Sequence, residues 1–145
     1  MKNTPIFLSA AILSASLLLA NSALAAGDLT RRPVTLPDLV LGNEESDFAM
    51  THKEYEVETG QAYRLKIISS GQKEYAFQAP DFFKVTHLRK VEAGDVEIKT
   101  AYLHELEFEK PGQAEIFFTP LVPGRYEFYL KGLESRGMTG HFVVK

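Results

Sequence analysis

The sequence contains no cysteine, and this absence removes three kinds of chemistry at once. Without a thiol the chain offers no thiolate ligand for copper, no redox disulfide and no cysteine nucleophile. Small secreted domains commonly depend on disulfides, but a chain of this length can bury roughly two thirds of its unfolded surface. A hydrophobic core can therefore stabilise this protein without cross-links.

An excess of positive charge is also missing. The chain has 16 Lys and Arg against 19 Asp and Glu, which gives a formal net charge of −3. Phosphate backbones are bound by basic surfaces, so we expect no nucleic-acid partner. The sequence also lacks a G-x-S-x-G elbow and an HExxH helix. Enzymatic hydrolysis therefore has no support in the sequence.

The first 25 residues predict a secretory signal peptide. Lys2 supplies a charged start, residues 7–20 form an apolar run without charge, and Ala23 and Ala25 are the small residues of a cleavage site. A signal anchor is the alternative, but a spanning helix needs roughly 20 apolar residues. We expect a single domain at residues 26–145, exported and without a transmembrane segment.

Short alternating segments separated by Gly, Pro and Asn turns predict an all-β chain. Residues 54–58 and 62–69 both alternate apolar and charged side chains, and Gly60 lies between them, so we predict that they form a β-hairpin. Residues 81–91 fit either a short helix or an irregular crossover. Further strands are predicted at residues 39–41, 74–78, 96–98, 103–108 and 114–118. Many short strands with frequent turn signals are typical of a β-sandwich.

The last 28 residues read FTPLVPGRYEFYLKGLESRGMTGHFVVK, a strand, a polar loop and a second strand. Residues 124–144 resemble the ligand hairpin of the cupredoxins, which runs Tyr-x-Phe-x-Cys, a loop with His, and Gly-Met-x-Gly. Leu130 stands at the cysteine position and Leu133 at the histidine position, while Met138 is retained. The resemblance implies a cupredoxin-like Greek-key β-sandwich. It also implies no type 1 copper, because that site needs a thiolate and two imidazoles.

A second segment, YAFQAPDFF at residues 75–83, carries a narrower resemblance. Together with Arg89, Lys90, Val91 and Gly94 it is similar to the EfeO-type cupredoxin-like domains of bacterial periplasmic iron-transport systems. That resemblance implies a periplasmic accessory of iron uptake that binds iron or copper, with a ferroxidase-like role left open. Its partners would be a periplasmic iron-binding protein or a membrane permease.

Four residues are candidate metal ligands: Met138, Tyr75, Glu107 and Glu134. The cupredoxin resemblance puts Met138 and Tyr75 at copper-ligand positions, and the topology puts both glutamates near the same end. Carboxylate, phenolate and thioether donors suit a ferric or cupric ion better than blue copper. The alternative is that Tyr75 is a core aromatic and that Glu107 faces solvent with its neighbours on an edge strand.

Two other functions stay open beside metal handling. The fold could serve as a metal-free module that binds another protein, for which the polar loop at residues 131–137 is the candidate surface. A small electron carrier is the third reading, which Leu130 and Leu133 disfavour. The four histidines show no spacing typical of a closed metal site, so they do not choose among these functions.

Overall fold

Eleven strands and one short helix lie within residues 32–145, the part that this computed structural model describes. The predicted signal peptide lies outside the described residues. The strands are β1 (Val34–Thr35), β2 (Leu39–Leu41), β3 (Glu54–Val57), β4 (Tyr63–Ser69), β5 (Tyr75–Gln78), β6 (Thr86–Ala93), β7 (Val96–Ile98), β8 (Leu106–Phe108), β9 (Gly112–Pro120), β10 (Gly124–Leu130) and β11 (Thr139–Val144). Helix α1 spans Pro80–Lys84, and a 3₁₀ turn spans Glu134–Arg136. No helix among these residues is long and apolar enough to cross a membrane.

The strands form two sheets, which confirms the predicted β-sandwich. The first sheet has the order β1-β4-β9-β6-β7, with β2 also paired to β4, and the second has the order β3-β11-β10-β5-β8. Most neighbours are antiparallel, but β1 and β2 run parallel to β4, and β3 runs parallel to β11. The predicted terminal hairpin is present as β10 and β11, paired from Gly124 with Val144 to Tyr129 with Thr139.

The core between the sheets is rich in aromatic rings. Phe128 and Phe82 have no exposed surface, and Phe142 is 1% exposed. The rings of Phe82 and Phe142 stack with centroids 4.1 Å apart, and those of Phe128 and Phe142 lie 5.2 Å apart. Aromatic pairs at such distances add to the free energy gained by burying their area. The core therefore compensates for the missing disulfides.

The predicted hairpin of residues 54–58 with 62–69 is wrong. Strand β3 lies in the second sheet beside β11, whereas β4 lies in the first sheet beside β9. The chain crosses between the sheets at Gly60, whose φ of 75° is left-handed, and the Glu58 N–H donates to the Tyr63 hydroxyl across the turn. Both strands bury one face in the same core. Their alternation is therefore the same whether they pair or face each other.

Residues 81–84 lie in a short helix, α1, as one alternative predicted, whereas residues 86–91 belong to a strand that neither alternative predicted. After α1 the chain forms β6, an eight-residue strand in the first sheet. The register of β6 against β9 shifts between Leu88 and Lys90, as at a β-bulge. The buried residues Leu88 and Val91 are consequently three positions apart. The bulge breaks the period of two that reveals a strand in sequence.

Candidate functional site

Strand β10 ends and β11 begins at one end of the sandwich, where four connections meet. A cation–π contact of 5.0 Å joins Arg136 to Phe48, and the backbone at Gly71 lies close against Pro111. We call this surface the loop end, and it is formed by residues 42–50, 70–74, 109–112 and 131–137.

The terminal loop, residues 131–137, folds tightly onto the core. Leu130 and Met138 on its two sides have no exposed surface, and the Leu130 N–H donates to the Met138 carbonyl at 3.0 Å. The Leu133 N–H donates to the Leu130 carbonyl at 2.9 Å, and the Leu133 side chain packs against the core. Gly137 adopts a left-handed φ of 78°, which ends the 3₁₀ turn. The side chains of Leu130, Leu133 and Met138, which correspond to copper ligands of the cupredoxins, thus take part in apolar packing.

Tyr75 is a satisfied core residue. It has no exposed surface, and its hydroxyl donates to the Asp47 carbonyl at 2.9 Å. Gly42 lies against this hydroxyl, since a Cβ at position 42 would be 2.3 Å from it, and Gly42 also has a left-handed φ of 72°. The phenol thereby ties the connection after β2 to the base of β5.

A type 1 copper ion does not fit the residues at this end of the core. That ion takes a thiolate, two imidazoles and a weak thioether. Here the corresponding side chains are aliphatic at Leu130 and Leu133, and the hydroxyl of Tyr75 already donates to a backbone carbonyl. Only Met138 offers a donor atom of the expected kind. The residues therefore cannot supply the ligand set of a blue copper centre.

The structure does not bring the four candidate ligands together. On the β5–β8 pair, Tyr75 is opposite Phe108 and Ala76 is opposite Glu107. Neighbouring residues of a strand point to opposite faces, so Glu107 is on the outer face whereas Tyr75 is in the core. Glu134 is exposed on the 3₁₀ turn, and Met138 is buried. Metal binding by this set stays a prediction.

Glu105 belongs to a hydrogen-bonded chain on the outer face of the second sheet. The Tyr129 hydroxyl donates to Gln78 Oε1 at 2.8 Å, and Gln78 Nε2 donates to the Glu105 carboxylate. Lys131 at the start of the terminal loop reaches the same carboxylate at 3.2 Å. The hydrogen bond from Gln78, followed by that from Lys131, lowers the pKa of Glu105. These hydrogen bonds connect the first residue of the terminal loop, Lys131, to β5 through Glu105 and Gln78.

Phe48 is the centre of a contact that no pattern in the sequence predicts. The guanidinium of Arg136 lies 5.0 Å from its ring centroid, and the Lys73 ammonium lies 5.8 Å away. Lys73 also forms an ion pair with Asp47 at 3.7 Å. Cations over an aromatic face are attracted by the ring quadrupole. Three connections of the loop end are thereby held together, and no local motif signals this assembly.

The four histidines lie apart from any cluster of acidic residues suited to a metal ion in the described part of the chain. His87 and His104 are exposed, while His52 and His141 are partly buried. Within residues 32–145, no group of three or more His, Cys, Asp or Glu side chains is placed to hold a metal ion. His141 is flanked in register by Glu54 and Glu127 on the outer face of the second sheet.

Comparison with known proteins identifies the fold but not a family. No model of a protein family matches the chain, and no curated protein matches its sequence. Solved structures do match. A multicopper oxidase of Campylobacter jejuni, described as a metallo-oxidase, is 12% identical with a TM-score of 0.54, and the match covers 81% of this chain and 31% of that one.

Two further solved structures share the fold at similarly low sequence identity. Another multicopper oxidase is 14% identical with a TM-score of 0.57, over 79% of this chain and 46% of that one. A copper nitrite reductase of Nitrosomonas europaea is 9% identical with a TM-score of 0.51, over 62% of this chain and 32% of that one. The chain thus spans under half the length of these proteins. It has an all-β, cupredoxin-like sandwich fold, as predicted.

Proposed function

We propose that this chain is a cupredoxin-fold protein of the periplasm that acts by binding another protein through its loop end. The observation that supports this proposal most is the closed packing of Leu130, Met138 and Tyr75. Where a copper-carrying relative would need donor atoms, this chain has an apolar core and a phenol that already has a partner. A periplasmic location is supported by the signal-peptide pattern of residues 1–25.

The surface that supports binding is centred on Phe48. Its ring lies under two cations, and Arg136 forms no ion pair with a carboxylate in the part of the chain that the structure describes. The terminal loop that contains Arg136 is held by its own backbone hydrogen bonds. It therefore loses little conformational entropy when a partner binds. A partner surface that presents carboxylates to Arg136 suits this arrangement.

The candidate partners are a periplasmic iron-binding protein and a membrane permease, as the EfeO-type resemblance of residues 75–83 implies. Purified partner from the same gene neighbourhood would be titrated against the parent protein and against Arg136→Glu. We expect the charge reversal to weaken binding at least about tenfold, or roughly 1.4 kcal/mol. Arg125→Glu makes the same change at the opposite end of β10 and should leave binding unchanged. Equal binding by all three proteins contradicts docking at the loop end.

Metal handling is the second candidate, supported by the same resemblance and by the carboxylates within β8 and directly after it. Glu107 and Glu109 line an open groove of about 530 Å³ beside β8 and the start of β9. Metal analysis of protein purified from the periplasm, with titrations of ferric and cupric ions, tests this function. Glu107→Gln should weaken binding at least about tenfold, and Glu56→Gln on another edge strand is the control.

The visible absorption of copper-loaded protein distinguishes metal handling from a role as a blue-copper electron carrier. Copper-loaded protein should lack the intense blue band of a copper–thiolate bond, because the chain has no cysteine. If the parent protein binds neither ion, metal handling by direct binding is wrong. Docking through the loop end is judged separately by the Arg136 variant.

A further inference from the structure

Strand β7 is an outer edge of the first sheet. It pairs with β6 alone among the described strands, and all three of its residues are exposed. Val96 is 59% exposed and Ile98 is 44% exposed, which places them among the most exposed large apolar residues of the described chain. The backbone groups along an edge that has no partner are a template for a further strand.

The turn before β7 determines which of its residues direct their backbone N–H and C=O groups toward the free edge. Gly94 and Asp95 form a two-residue turn, so the flanking pair of Ala93 and Val96 bond to each other. Bonding direction alternates along an antiparallel strand. The backbone groups of Val96 and Ile98 therefore point to β6, whereas those of Glu97 point to the free edge. Lys99 directly follows β7, and its ammonium lies 3.3 Å from the carboxylate of Glu97, as expected for side chains two residues apart on extended backbone. The backbone groups of Lys99 then also point to the free edge.

We propose that a second copy of this chain pairs with β7 in antiparallel fashion, about a two-fold axis at Ile98. In this register Glu97 of each copy is opposite Lys99 of the other, and the two Ile98 residues are opposite each other. The outward backbone groups at positions 97 and 99 then bond across the axis. The Ile98 pair is non-hydrogen-bonded, the arrangement in which opposite side chains are closest.

Charge complementarity selects this register. Glu97 is opposite Glu92 on β6, and Lys90 contacts both carboxylates. The carboxylate of Glu97 also lies 3.3 Å from Lys99 of its own chain. In the dimer each Glu97 gains a Lys99 of the other copy opposite it, so the pairing adds two cross-strand contacts between opposite charges. Moving the axis to Glu97 would set two like charges opposite each other, which is destabilising.

The second copy also covers apolar surface. The side chains of Val96 and Ile98 are on the same face as Ala93 and Val91, because these residues are their cross-strand partners. Val91 is buried, but Ile98 lies beyond the edge of the core. The contact is short compared with interfaces that bury well over 1,000 Å². We therefore expect a weak dimer, with Kd in the range of about 10 µM to 1 mM.

Charge exchange at positions 97 and 99 tests the pairing. The parent protein is examined by sedimentation velocity over a concentration series that reaches about 1 mM. Glu97→Lys and Lys99→Glu each set like charges opposite each other at both ends of the pairing, so each should weaken self-association at least about tenfold. An equal mixture of the two variants restores opposite charges in the heterodimer. It should associate within about threefold of the parent.

Two controls separate this effect from damage to the fold. Glu56→Lys makes the same charge change on β3, an edge of the other sheet, and should not alter self-association. Amide hydrogen exchange at Glu97 and Lys99 should slow as protein concentration rises, whereas exchange along β3 should not. The proposal is overturned by a parent that stays monomeric to about 1 mM, by a dimer that ignores both single variants, or by a mixture that does not recover association.

Discussion

Replacing Phe128 with alanine tests whether β10 is the centre of the core, as its position in the second sheet indicates. Phe128 has no exposed surface, and β10 has a hydrogen-bonded strand on each side. Its ring centroid lies 5.2 Å from that of Phe142, 5.6 Å from that of Phe77 and 6.1 Å from that of Tyr55. The substitution removes a ring from contact with all three.

The expected loss is about 3–5 kcal/mol of unfolding free energy, from lost burial and from the cavity that remains. We expect the upper half of this range, because a strand held on both sides cannot move inward to fill the space. The total stability of a domain is about 5–15 kcal/mol, so Phe128→Ala could be largely unfolded. Phe128→Leu keeps most of the volume and should lose less, which provides a measurable second point.

Urea unfolding followed by circular dichroism measures both variants, since the chain has no tryptophan. Leu121→Ala is the control: Leu121 is 57% exposed, so its truncation should change stability by no more than about 0.5 kcal/mol. A loss below about 1 kcal/mol for Phe128→Ala would refute the reasoning. It would mean that the register of β10 is reversed or that the strand is peripheral.

Two further predictions concern close packing and alkaline pH. Gly140→Ala places a Cβ 2.3 Å from the Phe128 ring and 2.6 Å from the Lys53 carbonyl oxygen. It should therefore lower the free energy of unfolding, measured in urea, by about 1–3 kcal/mol. Gly112→Ala is the control, because a Cβ there has room and should change stability little. Burial, with the charge of Asp38 second, raises the pKa of Tyr55, whose hydroxyl donates to the Pro37 carbonyl. The Tyr55 hydroxyl therefore loses its proton at lower pH in the unfolded chain than in the folded one. The free energy of unfolding should fall as pH rises above about 10, by up to about 1.4 kcal/mol per pH unit. Tyr55→Phe should lack this part of the decline, so equal declines in unfolding free energy for the parent and Tyr55→Phe between pH 8 and 11 contradict the prediction.

Alternation in the sequence reveals strands, but it does not reveal their partners. It correctly predicted β2, β7 and the hairpin of β10 and β11. In β2 and β11 the side chains on one face are buried and those on the other are less so, whereas all three residues of β7 are exposed. It wrongly paired residues 54–58 with 62–69, because a glycine turn can join strands of one sheet or carry the chain to the other. Which of the two occurs depends on β9 and β11, far along the chain.

The loop end was harder to predict than the strands because its contacts are distant in sequence. The resemblance of the terminal hairpin singled out Leu130, Leu133 and Met138. Leu130 and Met138 are buried, and Leu133 is partly buried against the core. The resemblance gave no sign that Phe48 and Arg136 would meet, since 88 residues separate them. Such a contact exists only when the connections converge, and nothing in either segment alone requires it.

The placement of Glu107 shows how one residue of register decides what a site can contain. Alternation correctly separated Leu106 and Phe108 from the glutamates between and beside them. Whether Glu107 shares a face with Tyr75 depends on how β8 is aligned with β5. A shift of one residue would bring Glu107 to the face of Tyr75, but it would also move Leu106 and Phe108 into solvent. Packing of Phe108 and the partly buried Leu106 against the core therefore keeps the carboxylate outside. A metal held by Glu107 would take its other ligands from the outer face or from a partner.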